Sequence, residues 1–356
     1  MTRLALILKT RGHSFHQLCY HTHDFFKPEY DAAGIPVEVL QTRKSARPLA
    51  SHRAIQRVNP DVVISFLNGP NLYAELARLI NHKFILIVSE RKGFPGKIPY
   101  KEWPRLQMHR LADFVVMNSP DLQDKVNAAV PALRHKTRVI FNCVDLEKFQ
   151  PEPLPPTEPI KILVLARFTI EKNLKGVYEA FKQLDPLKTR VELDWHGFNY
   201  FENGQPTRLS QLYLELQERI TNDGATDRFR LHEPSSDVSA LYHNADVVLL
   251  ASFYEGCSNV LCEALACGKP LLASDVCSND LLVKSGHNGF LFDPHQPGDI
   301  AAKIQAFATL TQSQRDQMGE ASRARAKELL DPDVFADQWL ELIEQAKSKR
   351  GITHAN

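Results

Sequence analysis

Apolar positions along this chain fall in two rhythms, short continuous runs and longer stretches with a three- to four-residue spacing. The runs at 3–8, 34–40, 62–67, 84–88, 113–118, 138–144, 160–166, 191–197, 228–233, 246–251, 270–274 and 286–292 read as strands. Most are uninterrupted, as in parallel sheets covered on both faces. Helical patterns lie between them near 15–26, 49–58, 72–80, 208–221, 238–244, 258–267, 298–309 and 312–328, with a last one at 333–346. Ser119-Pro120 opens a helix with Pro at its first position, and Gly268 with Pro270 stops the helix before them. Strand and helix alternate throughout, which predicts an α/β chain. Residues 150–159 hold five prolines and no periodicity, so they read as a linker.

A chain of 356 residues exceeds one ordinary core and suits two domains, placed here at 1–150 and 151–332. No apolar run approaches the ~20 residues of a membrane span, and no signal peptide precedes the run at 3–8, so a cytoplasmic location is expected. The six Cys include no C-x2-C pair and read as reduced thiols. His13, His16, His21 and His23 crowd together, His16 and His23 a heptad apart on the expected helix, but no carboxylate or Cys completes a metal set. Net charge is +1, yet residues 1–150 carry 22 Lys and Arg against 13 Asp and Glu. That basic half points to an anionic partner, a phospholipid surface or a pyrophosphate-bearing acceptor. Tyr100, Lys101, Trp103 and Arg105 add an aromatic and basic stretch suited to a membrane interface, although Pro99 and Pro104 oppose a regular amphipathic helix there.

The candidate chemistry concentrates at 246–274. A buried strand leads into a polar loop with Glu255 and Gly256, and a helix starts near Ser258. Its first N–H groups, at Ser258, Asn259 and Val260, form an anion site at the carboxyl end of a parallel sheet, where open α/β folds take ligands. Glu255 precedes the helix and Glu263 lies within it. A carboxylate beside a phosphate site is costly unless it accepts hydrogen bonds from hydroxyls, so the ligand reads as a sugar or ribose joined to phosphate. Arg167 and Lys172, on the loop after 160–166, can converge on one diphosphate, Arg as a planar fork and Lys as a point charge.

Glu255 and Glu263 resemble the E-x7-E signature of the retaining GT-B glycosyltransferases, the glycosyl transferases group 1 (glycosyltransferase family four). Arg167 and Lys172 are similar to that family's GR-x4-K pattern, with Ala166 replacing the usual Gly. Asn142 and Asp145 match its N-x-V-D ending before the interdomain crossing. The resemblance covers 138–330 closely and 1–137 in element order alone. It implies two Rossmann-like domains facing a cleft, with 333–356 crossing back onto the first. It also implies retaining transfer of a sugar from a nucleotide diphosphate-sugar to a glycan or lipid-linked saccharide, with no metal cofactor and no nucleic-acid partner.

In that scheme Arg167, Lys172 and Glu255 are catalytic, and Glu263 holds the ribose. Cys257, Ser258, Asn259 and Val260 surround the diphosphate, and the backbone of His232 and Glu233 lies near the base. His196 and Gly197 stand where relatives carry a Gly-rich loop. Ser89-Glu90-Arg91 is similar to a tripeptide of bacterial members that transfer N-acetylhexosamines to polyprenyl-diphosphate sugars. N-acetylhexosamine is therefore the expected sugar, UDP the expected carrier, and surface polysaccharide (lipopolysaccharide or capsule) the expected product. Glu90 and Arg91 become acceptor-side candidates, with Gly12 and His13 on the loop after the first strand. The inner face of the cytoplasmic membrane is the expected place of work. The alternatives are a GT-B nucleotide-sugar epimerase and a nucleotide-sugar-binding protein with weak chemistry.

Overall fold

The computed structural model describes residues 1–21, 26–153, 158–198, 201–202, 205–206 and 208–351. The chain forms two compact units, Met1–Cys143 with the chain from Pro332 onward, and Val144–Asp331.

The first unit contains α1 (Thr2–Thr10), β1 (Gln17–Cys19), α2 (Lys27–Ala32), β2 (Val37–Val39), α3 (Arg47–Val58), β3 (Val62–Phe66), α4 (Asn68–Ile80) and β4 (Ile85–Glu90). It continues with α5 (Trp103–Met108), β5 (Phe114–Met117), α6 (Pro120–Ala129) and β6 (Thr137–Val139). Strands β3, β4, β5 and β6 form one parallel sheet in that order, and β1 with β2 a second. The two-residue period of a strand sends Leu86, Val88, Val115 and Met117 toward Ala74, Leu106, Leu122 and Val126. It sends Ile85, Ile87, Phe114 and Val116 the other way, toward Leu4, Leu8, Trp339 and Leu342.

Two expected elements are corrected here. Residues 3–8 are not a strand but the body of α1: Leu4, Ala5 and Leu8 are buried on one helical face while Leu6 and Ile7 are half-buried. A run of five apolar residues fits either period, and burial on one face alone decides for the helix. The helix expected at 15–26 is replaced by β1, and residues 22–25, including His23, lie outside the described residues. Gly12 therefore ends a helix instead of opening one. It takes φ 87°, its N–H donates to the Lys9 carbonyl at 3.1 Å, and the His13 N–H donates to Leu8 at 3.0 Å. That is a Schellman stop at the negative end of a helix dipole, which repels anions.

A charged network is buried beneath α4 and α5. Glu75, Glu90 and His109 are fully buried. His109 meets Glu75 through Nδ1 and Glu90 through Nε2 at 3.2 Å. Arg105 Nη1 donates to Glu90 at 2.5 Å and Asn71 Nδ2 at 3.1 Å. Burial pulls the His109 pKa down, but its hydrogen bonds to the two carboxylates outweigh that and raise it to about 9.

The second unit runs β7 (Ile160–Leu165), α7 (Leu174–Lys182), β8 (Val191–His196), β9 (Phe201–Glu202), β10 (Gln205–Pro206), α8 (Arg208–Asn222), β11 (Phe229–His232) and α9 (Val238–His243). Then come β12 (Val247–Leu250), α10 (Asn259–Ala266), β13 (Leu271–Ser274), α11 (Asn279–Leu282), β14 (Gly289–Phe292), α12 (Pro297–Ala308) and α13 (Gln312–Leu329). Helix α14 (Pro332–Lys349) belongs to the first unit. Six strands form one sheet in the order β11-β8-β7-β12-β13-β14, every neighbouring pair parallel. From β7 the chain winds outward through β8 to β11, then returns to β12 and winds the other way. β7 and β12 thus flank the switch point, where loops diverge and leave a crevice at the strands' carboxyl ends.

Because the folded-state pKa of His109 lies above its ordinary 6.5, its contribution to stability is complete below pH 6.5 and is lost as pH rises through about 9. Urea midpoints measured from pH 6 to 10 should fall over that window, and His109→Gln should flatten the fall.

Candidate functional site

The loops that leave β7 and β12 build the centre of the site. After β7 the chain makes a short 3-10 turn, Ile170–Lys172, closed by Asn173 in the left-handed region at φ 59°. Asn173 is buried and its Nδ2 donates to the Pro294 carbonyl at 2.7 Å. Its side chain fills the space over Gly176, where a Cβ would lie 2.2 Å from Asn173 Oδ1. The turn is therefore rigid, and it aims Lys172 at the loop after β12. Lys172 Nζ lies 2.5 Å from Glu255 Oε1, the two side chains 16% and 14% exposed. The Phe253 N–H donates to the Glu171 carbonyl at 2.9 Å, which stitches the two loops together. The Glu255 N–H donates to Cys277 Sγ at 3.4 Å, with Cys277 itself at φ 54°. Arg167 is half-exposed on the same loop as Lys172, with Nη2 3.5 Å from Glu171.

Helix α10 starts beside this pair. Ser258 is its N-cap, and the Ser258 hydroxyl accepts from the Leu261 N–H at 3.5 Å. Asn259 and Val260 are the first two helical residues, so their N–H groups stand at the positive end of the helix dipole. Cys257 Sγ lies 3.6 Å from Cys262 Sγ, the contact of an apolar staple around a helix start. Glu263 is on the next turn and largely withdrawn from solvent. Burial raises its pKa, opposed by a hydrogen bond from Tyr242 Oη to Glu263 Oε2 at 3.0 Å. Tyr242 is fully buried on α9. Nothing in the local sequence marks it, but a buried Tyr needs partners for its hydroxyl, and here these are Glu263 and the Val260 carbonyl.

The ends of β8 and β11 bring His196 and His232 together. Their rings stack at 4.4 Å with an interplanar angle of 16°. His196 Nδ1 lies 3.3 Å from the Glu233 carbonyl, and His232 Nε2 lies 2.6 Å from Asp194 Oδ1. Burial lowers the His196 pKa, and the neighbouring His232 adds to the effect. Burial pushes Asp194 up, but hydrogen bonds from Arg230 and His232 outweigh it and leave its pKa low. Gly197 follows directly. A Cβ there would lie 2.1 Å from the Ala166 carbonyl, which already accepts from Trp195 Nε1 at 2.8 Å.

The acceptor-side candidates lie in the first unit and are not gathered in the same way. Glu90 is turned into the core, its carboxylate held by Arg105, His109 and Asn71, so it does not meet a ligand at this position. Arg91 is half-buried. Its Nε donates to Ser89 Oγ at 3.0 Å, its Nη1 donates to Asn142 Oδ1, and its guanidinium lies 4.7 Å from the centre of the Phe66 ring. Gly12 and exposed His13 sit at the end of α1, away from any helix start. The aromatic stretch at 98–111 is broken into α5 between two 3-10 turns, with Tyr100 80% exposed and its ring tilted at 56° against Trp103, centres 4.9 Å apart. Among the described residues, no cluster of three or more His, Cys, Asp or Glu could hold a metal ion, and no helix is long and apolar enough to cross a membrane.

A lysine, an arginine and a helix start at a switch point, flanked by two glutamates, define an α/β protein whose second unit suits a ligand carrying both phosphate and hydroxyls. The chain belongs to the glycosyl transferases group 1 family, whose model matches residues 145–325, and the Glycosyltransferase Family 4 model matches residues 1–148. Its architecture is the two-unit α/β GT-B fold. The Anabaena HepE structure in complex with UDP superposes with a TM-score of 0.78, at 21% identity, over 97% of this chain and 96% of that one. The GtfA subunit of the UDP-N-acetylglucosamine--peptide N-acetylglucosaminyltransferase of Streptococcus gordonii is 27% identical over 206 residues, 56% of this chain and 38% of that protein. The putative colanic acid biosynthesis glycosyltransferase WcaL of Escherichia coli K12 is 26% identical over 218 residues, 59% of this chain and 52% of that protein. The chain thus spans about half or less of the length of these curated relatives.

Tyr242→Phe should leave the Glu263 carboxylate buried without its donor, at a cost of about 1–3 kcal/mol. The Glu263 pKa should then rise further, so the loss read from denaturant midpoints should be larger at pH 7 than at pH 5, where the carboxyl is closer to its neutral form.

Proposed function

We propose that this chain is a retaining glycosyltransferase that moves a sugar, N-acetylhexosamine in the first instance, from a UDP-linked donor to a glycan or polyprenyl-diphosphate saccharide. The observation that carries the reading is the contact of Lys172 with Glu255 over the switch point, beside the start of α10. A cation and a carboxylate in one place match the two ends of a sugar diphosphate. The diphosphate would take Lys172, Arg167 and the N–H groups of Asn259 and Val260, while Glu255 accepts from sugar hydroxyls and Glu263 from the ribose. Cys257 and Ser258 would line the diphosphate. The His196–His232 stack and the Glu233 backbone would offer a flat, polar place for the base.

In this scheme the bond between the anomeric carbon and the diphosphate oxygen breaks, and negative charge gathers on the leaving phosphate. Lys172, Arg167 and the helix N–H groups meet that charge without reorganising, which is the largest contribution such a site can make. The acceptor hydroxyl attacks from the face the phosphate leaves, and its proton passes to a leaving-group oxygen. The anomeric configuration is retained without a carboxylate nucleophile. Arg and Lys perform the charge neutralisation that a divalent ion supplies in other transferases, so no metal is required.

UDP and N-acetylhexosamine are favoured by the similarity of Ser89-Glu90-Arg91 to a tripeptide of known N-acetylhexosamine transferases and by the ligands named for HepE and GtfA. The excess of basic residues in 1–150 and the exposed Tyr100–Trp103 pair favour a lipid-linked, pyrophosphate-bearing acceptor taken at the cytoplasmic face of a membrane.

A thermal-shift screen against a nucleotide-sugar panel should raise the melting point with one UDP-sugar above the rest, because a ligand bound only by the native state stabilises it by mass action. Lys172→Ala and Glu255→Ala should each fold normally and lower turnover about 10²–10³-fold. Full activity in either variant would remove the assignment, and total loss in EDTA restored by one divalent ion would contradict the metal-free scheme.

A further inference from the structure

Four of the six cysteines, Cys257, Cys262, Cys267 and Cys277, fall within 257–277, and all of them stand as thiols. Two of these thiols bracket Glu255. The Glu255 N–H donates to Cys277 Sγ at 3.4 Å on one side, and only Gly256 separates Glu255 from Cys257 on the other. Cys257 is half-buried, so dissolved molecules reach it. It precedes the Ser258 cap, at the positive end of α10, the kind of place where reacting thiols are found. The buried thiols elsewhere are set against reaction. Burial pushes the Cys267 thiol up to about 12 and the Cys143 thiol up to about 11.

Cys257 and Cys262 occupy the residue before the helix cap and the fourth residue of α10. Side chains at these two positions meet around a helix start, and the pair is ordinarily hydrocarbon. Two thiols pack in the same way and can also be oxidised. Their sulfurs lie 3.6 Å apart. A disulfide requires about 2.05 Å, so closing the gap takes about 1.5 Å of movement. Cys262 is fully buried, with Leu261, Ala264 and Leu265 of α10 buried beside it. The helix is therefore the fixed partner, and the movement falls on the loop that carries Cys257, Gly256 and Glu255.

We propose that Cys257 and Cys262 form an oxidation site that takes small-molecule disulfides of the glutathione class and disables the Glu255 loop. The consequence for activity rests on the transferase reading above; the chemistry of the pair does not. The Cys257 thiolate attacks one sulfur of the small disulfide and expels the other as a thiolate, which leaves a mixed disulfide on Cys257. Cys262, out of reach of dissolved reagents, then attacks the Cys257 sulfur and expels the second small thiol. The two protein thiols give up two electrons and two protons, and the small disulfide becomes two thiols. The new bond draws Glu255 off its contacts with Lys172 and Cys277. Misplacement of a site residue by about 1 Å costs on the order of 10²-fold in rate. A small dithiol reverses the exchange.

The test incubates the reduced protein with oxidised glutathione, alkylates the remaining thiols and maps them by mass spectrometry. Cys257 and Cys262 should be protected together, with the loss of two hydrogens, while Cys277 is alkylated. Cys262→Ala, with Cys262→Val as a second filling of the same space, should keep its turnover when reduced and should retain one glutathione on Cys257. Turnover of the unaltered protein should fall about 10²-fold as the bond forms and return with dithiothreitol. Hydrogen exchange over 254–258 should quicken in the oxidised form, because the Glu255 amide loses Cys277. A bond from Cys257 to Cys277, or alkylation of both Cys257 and Cys262 after oxidation, would overturn the pair. A Cys257–Cys262 bond with unchanged exchange over 254–258 would overturn its effect on the loop. A reduced protein that turns over no nucleotide sugar would count against the transferase reading alone, since mapping and exchange decide the oxidation site without it.

Discussion

A single contact organises the second unit: the ammonium of Lys172 against the carboxylate of Glu255, at the point where the winding of the sheet reverses. The two residues are 83 positions apart in sequence. They meet because β7 and β12 are hydrogen-bonded neighbours and the Phe253 N–H, donating to the Glu171 carbonyl, ties the loops that follow them. Each neutralises the other while both are mostly shielded from water, where an unpaired charge is costly. A ligand that brings its own phosphate and hydroxyls can replace each partner with a better one. The site is thus held closed upon itself by the same groups that would grip a donor, and the Asn173 clamp keeps them in register.

The two glutamates, eight positions apart, illustrate how environment separates like side chains. Glu255 sits on a loop and faces a cation. Glu263 is largely withdrawn from solvent, its pKa raised by that desolvation, and it is oriented by the Tyr242 hydroxyl. One carboxylate is positioned by charge and the other by a neutral hydrogen bond, which suits the first to a polar sugar near phosphate and the second to the more enclosed hydroxyls of a ribose. The first unit spends its carboxylates differently. Glu75 and Glu90 are locked around His109 in the interior, so the polar groups there specify packing, and Arg91 is what remains near the strand ends.

Much of the second unit was legible in the amino-acid pattern. Runs such as Ile160–Leu165 and Val247–Leu250 are long enough in apolar residues, and bounded clearly enough by Gly, Pro and charged loops, that their strand assignment follows from burial alone. The spacing of Arg167, Lys172, Glu255 and Glu263 placed them on loops and a helix start at strand ends, which is where they lie. The first sixty residues were harder. Leu4-Ala-Leu-Ile-Leu8 satisfies both a strand and a helix locally, and only its three-dimensional partners, Trp339 and Leu342 among them, select the helix. With that run helical, Gly12 is a helix stop and not part of an acceptor-side loop after a strand. The inward orientation of Glu90 and the pairing of Tyr242 were not legible for a related reason. Whether a polar side chain at a strand end or on a short helix faces inward depends on partners distant in sequence, here His109 at 19 positions and Glu263 at 21.

The most direct measurement is a crystal structure of the protein with UDP or an intact UDP-sugar bound. The account predicts that Lys172 Nζ leaves Glu255 and moves within hydrogen-bonding distance of the β-phosphate, that the Asn259 and Val260 N–H groups face the same phosphate, and that Glu263 accepts from the ribose. A nucleotide bound elsewhere on the second unit, with the Lys172–Glu255 contact undisturbed, would contradict it.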